Sequence, residues 1–346
     1  MRALPAALAL ALGATVAAAQ SLAPFLPAAA PARKFVEALT PPDFLDPAVV
    51  AAFEKQSGLT IALDTYASEA ELAERSGERR YDLIVLRGPA LARRLSGLAR
   101  LDRRRLPNAA AIQPLVAAKL AAYDRDGAHS VAFGWSAFGL LYDADKLREA
   151  PVSWVQVFGA GKEARRLGEC GIVWPDAREL SFMAAWRLFG LDPARARPAE
   201  VKSAAALMER ARGAFVGFAV ADEVGALAKG AACLGAGTAG EAAAVAARGF
   251  DNPPNIRFAY PREGAPLILY AFAMPADAPS PEAAYRLLDA LLAPDNARRD
   301  AASAGVNGAE QATDLDVLKR LAPEPAFDAA VTAAMQSEWK RLTAAK

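Results

Sequence analysis

Apolar and polar positions change period along this chain, and each period names an element. Tyr81-Asp-Leu-Ile-Val-Leu86 is a short, nearly unbroken apolar run, the pattern of a strand covered on both faces. Leu59-Thr-Ile-Ala-Leu-Asp-Thr-Tyr66 alternates, which predicts a strand with one polar face. Pro47 to Gly58 reads as a helix, with Pro at its start, apolar Val49, Val50 and Phe53, and Gly58 as its stop. Helices are also predicted over 69–75 and 89–98. Strands and helices in alternation predict an α/β fold.

Farther along, Ser130 to Tyr142 reads as one long strand interrupted by Gly134 and Gly139. Helices are predicted over 154–167, 180–190, 201–212, 240–248, 281–292 and 328–343. Strands are predicted over 171–174, 231–234, 256–260 and 267–274. There is no internal repeat of the length that marks a solenoid or propeller.

The first residues form a separate pattern. Arg2 is followed by an apolar stretch from Leu4 to Ala18, and Ala17-Ala18-Ala19 precedes Gln20. This predicts a cleaved signal peptide over 1–19 and an exported, periplasmic protein. The stretch is too short to span a membrane comfortably. No Cys follows the cleavage site, so no lipid anchor is expected. Residues 20–33, rich in Ala and Pro, read as a flexible leader.

Composition then narrows the function. The chain has 346 residues, 40 basic and 39 acidic, a length that suggests two domains. Loss of Arg2 with the signal peptide leaves 39 of each sign. That balance gives no electrostatic footprint for nucleic acid. One His, His129, excludes a multi-histidine metal site. Two Cys exclude a four-thiolate zinc or iron–sulfur site, so neither metal nor cofactor is expected. Cys170 and Cys233 enter an oxidising compartment. A bridge between them would constrain the unfolded chain by roughly 4 kcal/mol. Spacing alone leaves a bridge and two separate buried thiols equally open.

Three motifs carry possible chemistry. Gly235-Ala-Gly237-Thr-Ala-Gly240 matches the dinucleotide fingerprint G-x-G-x-x-G. The strand before it is short and no acidic residue ends a second strand at the required distance. A helix start of this kind still favours anions. Gly134-Trp-Ser136-Ala-Phe-Gly139 narrowly misses a nucleophile elbow, and its sole candidate base, His129, lies in the same strand. Ser337-Glu-Trp-Lys340 has no companion motif and reads as a solvated helix face. No enzyme is predicted.

Longer stretches carry a resemblance. Asp43-Phe-Leu-Asp-Pro47, Val50 to Gly58, Tyr81 to Val85, Gly139-Leu-Leu-Tyr-Asp-Ala-Asp-Lys146, Cys170-Gly-Ile172, Phe189-Gly-Leu-Asp-Pro193, Pro261-Arg-Glu-Gly264 and Phe272-Ala-Met-Pro-Ala-Asp-Ala278 are the matching segments. In these the chain resembles the periplasmic putrescine- and spermidine-binding proteins of ABC importers, from about residue 40 to 312. The resemblance implies a type II two-lobed α/β periplasmic-binding fold, with chain crossings near Trp135, Tyr270 and Gly305. It implies one lobe of 34–135 plus 272–303 and a second of 136–271 plus 304–346. It also implies a Cys170–Cys233 disulfide, a small solute held by hinge closure, a membrane permease as partner, and a monomer.

The pocket departs from the family pattern. A polyamine needs carboxylates at its ends and aromatic faces along its chain. The family's Trp-Ser-Asp-Tyr is Pro41-Pro42-Asp43-Phe44 here, and its pocket Ser after the first buried strand is Arg87. Its Gly-Trp-Ala-Gly-Asp is Gly237-Thr238-Ala-Gly-Glu241, its hinge Asp is Tyr270 and its late Tyr is Gly305. Ser68 and Glu179 are retained. The candidate ligand-binding residues are therefore Asp43, Phe44, Ser68, Arg87, Trp135, Glu179, Thr238, Glu241 and Tyr270. Asp43, Glu179 and Glu241 suit an amine. Arg87 with the glycine-rich helix start suits a carboxylate or other anion. A non-transport accessory protein that kept the fold is the third expectation.

Overall fold

The computed structural model describes residues 34–159, 170–247, 254–311 and 315–344. The expected signal peptide and leader, and most of the helix expected over 154–167, lie outside the described residues. In chain order the strands are β1 (Phe35–Thr40), β2 (Thr60–Thr65), β3 (Leu83–Arg87), β4 (Ser130–Ala137), β5 (Gly139–Asp143), β6 (Ile172–Pro175), β7 (Phe215–Val220), β8 (Leu234–Gly237), β9 (Ile256–Ala259), β10 (Pro266–Ala273), β11 (Asn307–Gly308) and β12 (Ala322–Pro323).

They form two sheets. The larger has the order β11-β4-β10-β3-β1-β2, with β12 beside β10; the smaller has the order β7-β6-β8-β5-β9. In the larger sheet β1 runs parallel to β2 and β3, whereas β10 is antiparallel to β3 and β4. In the smaller, β6 is parallel to β7 and β8, and β5 is antiparallel to β8 and β9. β3 is buried along its apolar residues, as its composition requires.

The run Ser130 to Tyr142 is two strands in two sheets. β4 ends at Ala137, Phe138 carries the chain over, and β5 begins at Gly139. A Cβ at Gly139 would lie 2.6 Å from the Phe258 ring, so only glycine lets the chain enter β5 there. The return crossing falls between β9 and β10. Tyr270 lies inside the larger sheet and Pro266 is where β10 begins. β11 and β12, expected with the second lobe, pair in the larger sheet. The last helix, Ala329–Ala344, packs on helices Arg178–Leu188 and Pro198–Ala211 beside the smaller sheet.

The strand expected over 231–234 sits later, at Leu234–Gly237, inside the glycine-rich motif. A Cβ at Gly235 would come 3.2 Å from the Val173 carbonyl and 3.1 Å from Leu227, which is why this buried strand uses glycine. Helix Pro47–Ser57 begins with Pro47 and ends on Gly58 at φ 70°, as its sequence predicts, and Asp46 caps its start. Cys170 and Cys233 form a disulfide, with Cα atoms 5.7 Å apart. They stand just before β6 and β8, whose Ile172 and Leu234 are paired. The bridge thus ties together the entries of two neighbouring strands. Trp154, Trp174, Trp186 and Phe182 fill the core beside them, fully buried.

Candidate functional site

A cleft of about 430 Å³ lies between the two sheets. Pro42, Asp43, Ser136, Ile268, Tyr270 and the segment Ser303–Val306 line it from the larger sheet. Pro175, Leu180, Glu223, Thr238 and Glu241 line it from the smaller, with Phe138 at the crossing. Its charged lining residues are Asp43, Glu223 and Glu241, with no Lys or Arg among the lining residues described. A larger hollow of about 770 Å³, lined by Phe53, Arg105, Tyr285 and Arg286 among others, holds none of the residues singled out from sequence.

Asp43 sits in the turn after β1 at φ 63°, a left-handed conformation that Asp tolerates better than most residues. Phe44 beside it is buried. Its ring lies 5.1 Å from Phe133 and meets Tyr270 edge-on at 4.8 Å. Phe44 therefore supports the Tyr270 ring from beneath, and Tyr270 is the residue that faces the cleft.

Thr238 and Glu241 form a reciprocal cap at the start of helix Ala239–Ala247. The Glu241 amide donates to the Thr238 hydroxyl at 3.2 Å, and the Glu241 carboxylate accepts from the Thr238 amide. The helix start that sequence reading assigned to anions thus carries its own carboxylate. Gly237 leaves room for it: a Cβ there would lie 2.6 Å from Glu241 Oε2.

Glu223 is the cleft carboxylate that sequence reading missed. It opens helix Glu223–Ala228 behind the Asp222 cap, whose carboxylate accepts from Gly225 N at 2.9 Å, and it is 9% exposed. Asp222-Glu223 is a common helix start, so its pattern carried no signal beyond capping.

Besides Phe44, four candidates stand outside the cleft lining. Arg87 ends β3 and lies 2.6 Å from the Glu324 carboxylate, so an internal counter-ion already neutralises it. Burial pushes the Glu324 carboxyl above its ordinary range, and Arg87 draws it partly back. Trp135 is fully buried within β4 and shows no face to the cleft. Glu179 is ion-paired with Arg178 at 2.5 Å in the first turn of helix Arg178–Leu188. Ser68 caps helix Glu69–Glu78, accepting from Glu71 N at 3.1 Å.

Ser136 does line the cleft, but His129 precedes β4 and Ser136 lies near its end, roughly 20 Å along the strand. His129 Nδ1 is 3.1 Å from the Leu98 carbonyl oxygen. The nucleophile–base pair that the elbow pattern needs is not formed.

Two α/β sheets joined by crossing strands, with a cleft of carboxylates and apolar walls between them, are the architecture of a protein that encloses a small solute. The chain belongs to the bacterial extracellular solute-binding protein family, whose profile matches residues 48–317. It is 30% identical over 298 residues to a putrescine/agmatine-binding protein of Pseudomonas aeruginosa, covering 82% of this chain and 80% of that one. It is 29% identical over 265 residues to the putrescine-binding periplasmic protein PotF of Escherichia coli, covering 73% and 72%. The fold matches the spermidine/putrescine substrate-binding protein PotD of Streptococcus pneumoniae with a TM-score of 0.79 at 17% identity, over 90% of this chain and 99% of that one. The protein is a binding protein of this two-lobed fold and not an enzyme.

Proposed function

We propose that this chain is the periplasmic solute-binding subunit of a polyamine-type ABC importer, and that it traps a small amine between its sheets. The observation that carries the reading is the sign of the cleft. Asp43, Glu223 and Glu241 are its charged lining, and Phe138, Leu180, Ile268 and Tyr270 supply apolar walls. An ammonium on an alkyl stem matches both. The relatives bind putrescine, agmatine or spermidine by name, which supports the same class here.

In this reading the two lobes are organised around the two sheets and close about the solute by hinge bending, and the loaded form docks on a membrane permease. Export through the N-terminal signal places the protein in the periplasm as a monomer. Asp43 and Glu241 take the ammonium from opposite sides of the cleft, with Glu223 adding a third negative charge. Phe44 acts through Tyr270.

A carboxylate-bearing solute is the second reading, and Arg87 is the residue that favours it. Its pairing with Glu324 makes it the weaker of the two. Native mass spectrometry of freshly purified protein distinguishes them. An amine released from the protein fits the first reading, and an organic acid fits the second.

A further inference from the structure

The Arg87–Glu324 ion pair stands next to the cleft and the function above leaves it unused. Arg87 lies directly opposite Tyr270 in the antiparallel pairing of β3 and β10. Residues opposite one another across a sheet project to the same face. The Arg87 side chain therefore starts beside the phenol that lines the cleft. The charged groups acting on Tyr270 are Arg87, Glu324 and Glu241. Tyr270 is thus within electrostatic reach of both the cleft carboxylates and the ion pair.

The two members of the pair are unequally placed. The Glu324 side chain is 8% exposed and that of Arg87 is 36% exposed, at a separation of 2.6 Å. A carboxylate as buried as Glu324 is costly without a cation. Here the chain supplies that cation itself.

A linear diamine carries an ammonium at each end and needs a carboxylate for each. Asp43, Glu223 and Glu241 serve one end. Besides Glu241, the carboxylate acting on the Tyr270 phenol is Glu324, and Arg87 already holds it. A second ammonium arriving there would meet a guanidinium. Resting on the amine reading above, we propose that Arg87 occupies from within the chain the place of a solute's second cation, so that the cleft selects amines with a single ammonium over linear diamines.

The test is calorimetric titration with butylamine and putrescine, which differ only in the terminal ammonium. The native protein binds butylamine at least as tightly as putrescine. Arg87→Ala and Arg87→Met free Glu324 and shift the preference toward putrescine by about ten-fold. Arg87→Lys keeps a cation there and gives no such shift. The Met variant keeps the apolar stem, so the test survives if the Ala variant does not fold. A native preference for putrescine of about ten-fold or more, or Met and Lys variants that behave alike, overturns this inference and leaves the amine reading standing. Failure of the native protein and of Arg87→Met to bind either amine overturns the amine reading and this inference together.

Discussion

Gly240 meets Gly305 backbone to backbone: a Cβ on Gly240 would sit 2.2 Å from the Gly305 carbonyl oxygen. Gly240 belongs to the helix that follows β8, and Gly305, at φ 64°, precedes β11 of the other sheet. Both line the cleft. The contact therefore sets how closely the two sides approach. Gly240→Ala forces backbone against backbone, which no rotamer relieves. We expect a loss of about 1–3 kcal/mol of stability and a weaker response to solute, read as a smaller melting shift at saturation. An alanine variant with native stability and native affinity would show that the contact sets nothing.

Glu241→Gln separates charge from structure. Gln at the third helical position keeps the capping box, so stability without solute should change by no more than about 0.5 kcal/mol. The carboxylate is gone, and amine affinity should fall about ten-fold. Titration and thermal melting of the same preparation check both halves. Equal amine affinity in the variant would remove Glu241 from the site.

Asp300 makes stability depend on pH. It is fully buried, accepts from Asp46 N at 2.8 Å and has a second oxygen with no hydrogen-bond partner among the described residues. Burial, and to a lesser degree the Asp46 charge, push its carboxyl up to about 7, while the Asp46 amide pulls the other way. The folded protein thus keeps a proton that the unfolded chain releases. Stability falls as pH rises from the ordinary carboxyl range toward 7, and the loss is complete above that. Asp300→Asn keeps an acceptor for Asp46 and removes the charge. Its melting temperature should vary less between pH 5 and 8 and exceed that of the native protein at pH 8. Parallel curves for the two proteins would contradict this.

Reduction of the Cys170–Cys233 bridge should lower the melting temperature. The bridge closes a loop with a sequence separation of 63 residues, which constrains the unfolded chain by roughly 4 kcal/mol. Replacing both cysteines by serine should give the same drop and remove any further effect of reductant. A melting curve indifferent to reductant would contradict the assignment.

The fold was legible where a local signal had one meaning. Pro47, Phe53 and Gly58 marked a helix, and the apolar run to Leu86 marked a buried strand. The sequence did not reveal that Ser130 to Tyr142 serves two sheets, because the chain is buried at every position on either side of Phe138. β7 escaped notice because its residues are mostly half-buried at a sheet edge, with Val216 exposed. In the site, Asp43, Thr238, Glu241 and Tyr270 come together in the cleft lining. Glu223 looked like a helix start and no more. The partner of Arg87 was invisible, since Glu324 lies 237 positions away and no spacing links them.

The central claim is that the cleft binds an amine by its carboxylates. Calorimetric titration of solute-free protein with putrescine, agmatine, butylamine and succinate tests it most directly. The account predicts saturable binding of at least one amine, weakened in Glu241→Gln, and no heat from succinate. Binding of succinate with none from any amine would contradict it.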